Sequence, residues 1–374
     1  MNKILGAFLM TTALLTGACG AASGTASAPA TAAPASPVPA SRAPTGTLVG
    51  IDLPDGALDS RWSADGANLV KSLTALGYQT DLRFAGNDVA TQVLQVDDMI
   101  KAGSRVLVIG AVDGTMLAEP LQKAAAAGVK ILAYDRLIQD SADVDFYVTF
   151  DNFTVGVLQA TSIERSLDLR NQPGPFNLEL FAGSPEDTNS GLFFNGAMSL
   201  LQPYIDSGKL IVPSRQTSFP DQVGTLRWDG STAQARMGTI LATSYVDRRV
   251  DAVLSPNDSI SAALIDRLKA AGYYTAAKPG PVVTGQDADV QAAKSILIGE
   301  QTSTVFKDTR LLAAQAAKMV DEIVRGKAVD VNDTKQHNGV KLVPAYLVTT
   351  VLVTKDNVLA ALVDSGYYQA TDLQ

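Results

Sequence analysis

Along most of the chain, short apolar runs alternate with longer stretches whose apolar positions recur every three or four residues. Thr47-Leu-Val-Gly-Ile-Asp reads as a buried strand. The stretch after it puts Leu69, Leu73 and Leu76 on one helical face and stops at Gly77. Gln79 to Phe84 predicts a second strand, and Val89 to Ala102 a helix. Arg105-Val-Leu-Val-Ile-Gly is apolar throughout, as expected of a strand covered on both faces. Met116 to Ala127 predicts a helix closed by Gly128, and Val129-Lys-Ile-Leu-Ala-Tyr a fourth strand. The alternation then restarts. Strands are predicted at Phe176 to Phe181, Lys209 to Val212, Val250 to Leu254 and Pro281 to Gly285, and helices at Ser190 to Tyr204, Ala233 to Tyr245 and Ser259 to Ala271. Two more helices, Val290 to Ile298 and Arg310 to Val324, precede an extended run from Tyr346 to Val353. Repeated β-α units of this spacing give parallel sheets with right-handed crossovers. The expected fold class is α/β, with two doubly wound lobes of about 150 residues each.

In such sheets, ligands bind beyond the carboxyl ends of the strands. The segments that follow the strands are therefore the ones to read. They carry Leu58-Asp-Ser-Arg-Trp, Asp135-Arg136, Gly183-Ser-Pro-Glu-Asp-Thr-Asn, Ser255-Pro-Asn-Asp and Gly285-Gln-Asp. A carboxylate accepts from two neighbouring hydroxyls, a guanidinium donates to two, and an amide does one of each. An aromatic ring beside them offers a face to an apolar C–H surface. Both tryptophans stand next to an arginine, Trp62 after Arg61 and Trp228 after Arg227. That combination suits a monosaccharide pocket.

Composition narrows the chemistry. The chain has 374 residues, of which 46% are hydrophobic and 18% charged, enough to bury a sizeable core. Thirty Lys and Arg against 38 Asp and Glu give a net charge of -8, which argues against nucleic acid. There is one cysteine, Cys19, and one histidine, His337, so neither an intrachain disulfide nor a Cys/His zinc site can form. His337 lies in a polar turn, Thr334-Lys-Gln-His-Asn-Gly, and no metal or cofactor motif is present. Residues 1–18 have the form of a secretory signal: Lys3, an apolar stretch from Ile4 to Leu15, then small residues. Leu15-Thr-Gly-Ala-Cys resembles a bacterial lipobox, which marks Cys19 as an expected lipid anchor. The lipobox normally has Leu three residues before the cysteine, where Thr16 stands. Gly20 to Gly46 is nearly all Ala, Ser, Thr, Pro and Gly, so residues 19–46 read as a lipidated cysteine and a disordered tether.

Several segments carry a family resemblance in order along the chain. They are Ser60-Arg-Trp, Val108-Ile-Gly-Ala-Val-Asp-Gly-Thr, Ala133-Tyr-Asp-Arg-Leu-Ile, Thr149-Phe-Asp-Asn, Leu180 to Asn189, Gly224-Thr-Leu-Arg-Trp-Asp, Gly285-Gln-Asp-Ala and Ser303-Thr-Val-Phe-Lys-Asp-Thr-Arg. From Thr47 onward the chain resembles a type I periplasmic sugar-binding protein of an ABC importer, of the ChvE-like multiple-monosaccharide and xylose-binding group. The resemblance implies three hinge crossovers, with a first lobe of residues 47–150 and 304–344 and a second of 151–303 and 345–374. It also implies sugar contacts at Arg61, Asp135, Arg136, Asn189, Asn257, Asp287 and Lys307, and stacking on Trp228. Trp62 either lines the cleft or packs beneath it. Thr188 stands where the family has a second Asn.

The function implied is a lipid-anchored extracytoplasmic receptor, expected to be monomeric. It would capture an aldopyranose such as xylose, glucose, galactose or arabinose and pass it to an ABC permease. Two other functions compete. A glycosidase would need Asp135 and Asp287 as its carboxylate pair. A signalling role, as the sugar-loaded partner of a membrane sensor protein, is compatible with transport. The same fold serves as the ligand core of repressors, but the export signal and the lack of a helix-turn-helix before Thr47 argue against that use here.

Overall fold

The computed structural model describes residues 46–56 and 60–374. The expected signal segment, Cys19 and the tether up to residue 45 lie outside the described residues.

The first half builds one sheet. In chain order it runs β1 (Leu48–Leu53), α1 (Ser60–Ala75), β2 (Gln79–Phe84), α2 (Val89–Lys101), β3 (Val106–Ile109), α3 (Ala118–Ala126), β4 (Lys130–Tyr134) and β5 (Phe146–Phe150). The second half runs α4 (Asn152–Ser166), β6 (Phe176–Leu180), α5 (Thr188–Asp206), β7 (Leu210–Ile211), a 3-10 turn at Leu226–Trp228, α6 (Gly230–Ser244), β8 (Ala252–Leu254), α7 (Asp258–Ala270), β9 (Val282–Val283) and α8 (Val290–Ile298). The chain closes with β10 (Ser303–Phe306), α9 (Thr309–Val324), β11 (Asp333–His337), β12 (Leu342–Val348), β13 (Val351–Thr354) and two short helical turns.

Three sheets result. A seven-stranded sheet has the order β11-β12-β5-β4-β3-β1-β2, a four-stranded sheet has β7-β6-β8-β9, and β10 pairs with β13 alone. Every pairing within the two larger sheets is parallel except β11 with β12. β3 shows why its sequence is apolar throughout. Val106 and Val108 enter the core beneath α1 and α9, while Leu107 and Ile109 enter the core beneath α2 and α3. With both faces covered, no position along the strand is left for a polar residue.

The chain passes between the two larger sheets at three places. It leaves the first after Phe150, returns beyond β10 as α9 packs against α1, and leaves again after β12. The return to the second lobe comes later than the expected 344/345 boundary. β12 stays in the seven-stranded sheet, paired with β5, through Val348. Only from Val351 does the chain pair with β10. The extended run expected from Tyr346 to Val353 is thus two strands in two sheets, and apolar alternation cannot show where a strand changes its partner. β5 and β11 were not expected as strands. β11 is a polar edge strand, Asp-Thr-Lys-Gln-His, without the apolar alternation that marks a half-buried strand.

Candidate functional site

The carboxyl ends of the strands in both larger sheets open on one cavity of about 580 Å³. All nine residues singled out by sequence line it: Arg61, Trp62, Asp135, Arg136, Asn189, Trp228, Asn257, Asp287 and Lys307.

Asp135 follows β4 and is 2% exposed. It sits in the left-handed region at φ 62°, which Asp and Asn tolerate better than most residues. Its backbone carbonyl accepts from Tyr147 Oη at 2.7 Å, Thr149 Oγ1 at 2.8 Å and Asn189 Nδ2 at 3.0 Å. These three donors fix the turn and aim the carboxylate at Arg61, whose Nη2 donates to Oδ2 at 2.5 Å. Burial would raise the Asp135 pKa, but Arg61 and Lys307 hold it below the usual carboxylate range. Arg61 is not on a loop, as its segment suggested, but in the first turn of α1. Its Nε also meets Asp65 at 3.1 Å, one helical turn on. Asp65 in turn accepts from Tyr134 Oη at 2.5 Å, and burial pushes its pKa up to about 7. Tyr134–Asp65–Arg61–Asp135 is therefore one buried polar chain.

Arg136 reaches across the cleft. Its Nε lies 3.0 Å from Asp187 of the second lobe, and its Nη1 donates to the Ala111 carbonyl at 3.0 Å. Trp62 fills both roles open to it. It is 3% exposed within the first lobe's core, lines the cavity, and carries the Arg61 and Arg136 guanidinium groups 4.8 and 5.3 Å from its ring centroid. Asp287 is left-handed at φ 96° and pairs with Lys307 Nζ at 2.8 Å, beside the β10 hinge strand.

Two of the amides are already occupied. Asn189 accepts from Asn152 Nδ2 at 2.8 Å and donates to the Asp135 carbonyl, so it ties the two lobes at the hinge. Asn257 caps α7, accepting from Ile260 N at 3.1 Å and donating to Ser259 Oγ at 2.9 Å. Trp228 lies partly exposed in the 3-10 turn before α6, edge-on to Phe193 with centroids 6.3 Å apart. Its indole Nε1 is buried and has no hydrogen-bond partner.

Sequence reasoning missed several lining residues. Phe193 was findable, because it lies four positions after Asn189 and so on the same face of α5. Asp187, Ser184 and Gln286 belong to the quoted segments but were not singled out. Asp113 and Arg227 also line the cavity and likewise stand in quoted segments without having been singled out, whereas Asn87 lines it and no motif marks it.

Two lobes around a polar, tryptophan-bearing cleft are an architecture that known proteins share. A family model described as a periplasmic binding protein domain matches residues 51–328. The chain belongs to the periplasmic binding protein family. Among its relatives is the multiple sugar-binding periplasmic receptor ChvE of Rhizobium radiobacter, 54% identical over 327 residues, 87% of this chain and 92% of that one. The multiple sugar-binding periplasmic protein SbpA of Azospirillum brasilense is 56% identical over 321 residues, 86% of this chain and 89% of that one. A solved ABC transporter solute binding protein from Clostridium phytofermentans, with bound β-D-glucose, superposes with a TM-score of 0.83 at 44% identity, covering 88% of this chain and all of that one. The structure thus agrees with the expected fold: a type I periplasmic binding protein with α/β lobes.

Proposed function

We propose that this periplasmic binding protein captures one monosaccharide in the cleft and delivers it to an ABC permease. The observation that carries the reading is the pairing of charged groups around the cavity. Arg61–Asp135, Arg136–Asp187 and Lys307–Asp287 are ion pairs at 2.5, 3.0 and 2.8 Å, and each has a partner at the cavity wall. A sugar hydroxyl inserted against such a pair accepts from the cation and donates to the carboxylate at once. Trp228 supplies an apolar face from the second lobe. Asp135 and Arg61 act from the first, so a ligand touching both sides stabilises the closed form. The names of ChvE and SbpA, multiple sugar-binding proteins, and the glucose held by the Clostridium protein support a monosaccharide ligand with glucose among the candidates.

The same geometry disfavours a glycosidase that uses Asp135 as its general acid. A general acid must hold its proton near neutral pH, whereas Asp135 is kept ionised by Arg61 and Lys307 against the effect of burial. No helix among the described residues is long and apolar enough to cross a membrane. Attachment by a lipid on Cys19, with the cleft on the extracytoplasmic side, is part of the proposal and rests on the lipobox-like Leu15-Thr-Gly-Ala-Cys. A calorimetric screen of the purified chain against D-glucose, D-xylose, D-galactose and L-arabinose tests the reading. At least one should bind, with one sugar per chain. Failure of all four would remove the monosaccharide assignment.

A further inference from the structure

Trp228 stands where it does because residue 183 has no side chain. Gly183 lies three residues beyond the carboxyl end of β6, and a Cβ built on it would fall on Cη2 and Cζ2 of the Trp228 ring and on Ser190 Oγ. Its backbone is not in the left-handed region, so its conformation does not demand glycine. What glycine supplies here is room.

The indole has little freedom to retreat from an added methyl. The turn that carries it is tied to the same loop twice. Thr225 N donates to the Gly183 carbonyl at 3.1 Å, and Arg227 N donates to Ser184 Oγ at 3.0 Å. Arg227 and Trp228 are both left-handed, at φ 54° and 57°, which fixes the exit of the side chain. Phe193 stands edge-on at the ring's flank. Trp228 lines the cleft and Gly183 does not; Gly183 lines only a void of about 10 Å³ behind it. The ring therefore lies between Gly183 and the ligand space.

We propose that Gly183 is a positioning residue that sets the depth of the Trp228 indole and with it the height of the cleft on its second-lobe side. This rests on the sugar reading of the cleft. A methyl at 183 drives the ring toward the ligand space and spoils its stacking distance.

The test uses the full chain and its Gly183→Ala variant, with D-glucose, D-xylose, D-galactose and L-arabinose as probes. Three quantities are measured: the dissociation constant of the tightest-binding probe, the share of tryptophan emission that Trp228→Phe removes, and the melting temperature. Gly183→Ala should weaken binding at least tenfold and shift the ligand-free emission of Trp228. Phenylalanine lacks the Cζ2 and Cη2 atoms that the methyl would meet, and the remaining neighbour, Ser190 Oγ, has no hydrogen-bond partner to hold it and can turn away by rotation about χ1. Adding Gly183→Ala to Trp228→Phe should therefore change the dissociation constant less than twofold and leave the melting temperature unchanged. The proposal is overturned if Gly183→Ala moves neither affinity nor emission, or if it costs as much in the Trp228→Phe background as in the parent. Should Gly183→Ala alone fail to fold, recovery of a cooperative melt in the double variant supports the seat, and failure of both overturns it. If the parent binds none of the four sugars, the function proposed above falls. The emission and melting comparisons then still decide the role of Gly183.

Discussion

Asp135→Asn isolates one charge at the centre of the site. Asparagine keeps the shape of the side chain and tolerates the left-handed backbone at φ 62°. The donors from Tyr147, Thr149 and Asn189 bind the main-chain carbonyl of residue 135, so they survive the change. What is lost is the charged partner of Arg61 at 2.5 Å, while Asp65 at 3.1 Å remains to hold the guanidinium. Removing one member of a buried, hydrogen-bonded charge pair at a binding site typically costs about 2–5 kcal/mol. The amide can still make one of the bonds a sugar hydroxyl needs, which puts the expected loss near the lower end, about 2 kcal/mol or roughly thirtyfold in Kd. Asp135→Ala removes the remaining bond and also burdens the left-handed turn, so it should bind more weakly still and melt at a lower temperature. Calorimetric titration with the tightest-binding sugar, alongside thermal melts, separates these outcomes. If Asp135→Asn binds within twofold of the parent and melts normally, its carboxylate is a structural partner of Arg61 and the site is misassigned.

Three further outcomes follow from the same structure. Trp228→Ala should weaken sugar binding by about 1–2 kcal/mol, on the order of tenfold, and abolish the sugar-induced change in emission; unchanged affinity would make the indole a packing residue. Cys19→Ser should move the protein from the membrane to the soluble fraction of its cells, and retention on the membrane would refute the anchor. Burial pushes Asp52 up to about 8 and Asp65 up to about 7, so the folded chain holds protons that the unfolded chain releases above its ordinary carboxylate range. Stability should then fall as pH rises from about 5 to about 8, by up to about 1.4 kcal/mol per unit for each group. Asp52→Asn should lessen that fall in urea melts taken across the range; a parent whose stability rises from pH 5 to 8 would contradict it.

The parallel β-α alternation and the cleft's polar edge are visible in the sequence because both follow from local rules. Strands buried on two faces read as apolar runs, and β3 is the clear case. The cleft residues are visible because the fold forces strand-end loops toward the ligand. The same polarity has a second cause, though. Asp151, Asp187, Asp229, Asn257 and Asp308 each accept from a backbone N–H of the first turn of α4, α5, α6, α7 or α9. An N-cap is worth about 1 kcal/mol on its own, so the recurrence of Asp and Asn at this edge would arise in part without any ligand. Asp187, Asp229 and Asn257 do both jobs, capping a helix while lining the cavity. What the sequence hides is contact between distant segments. Asp187 beside Arg136, Tyr134 against Asp65 and Gly183 behind Trp228 depend on packing that no spacing reveals. The split of the C-terminal extended run between two sheets is hidden for the same reason.

The central claim is that the cleft holds one free monosaccharide and returns it unaltered. The most direct measurement is equilibrium dialysis of the purified chain with the tightest-binding of the four sugars, followed by release of the bound ligand and its chromatographic identification. Saturation at one sugar per chain with the sugar recovered chemically intact is the predicted result. No saturable binding of any of the four, or recovery of a converted product, would contradict it.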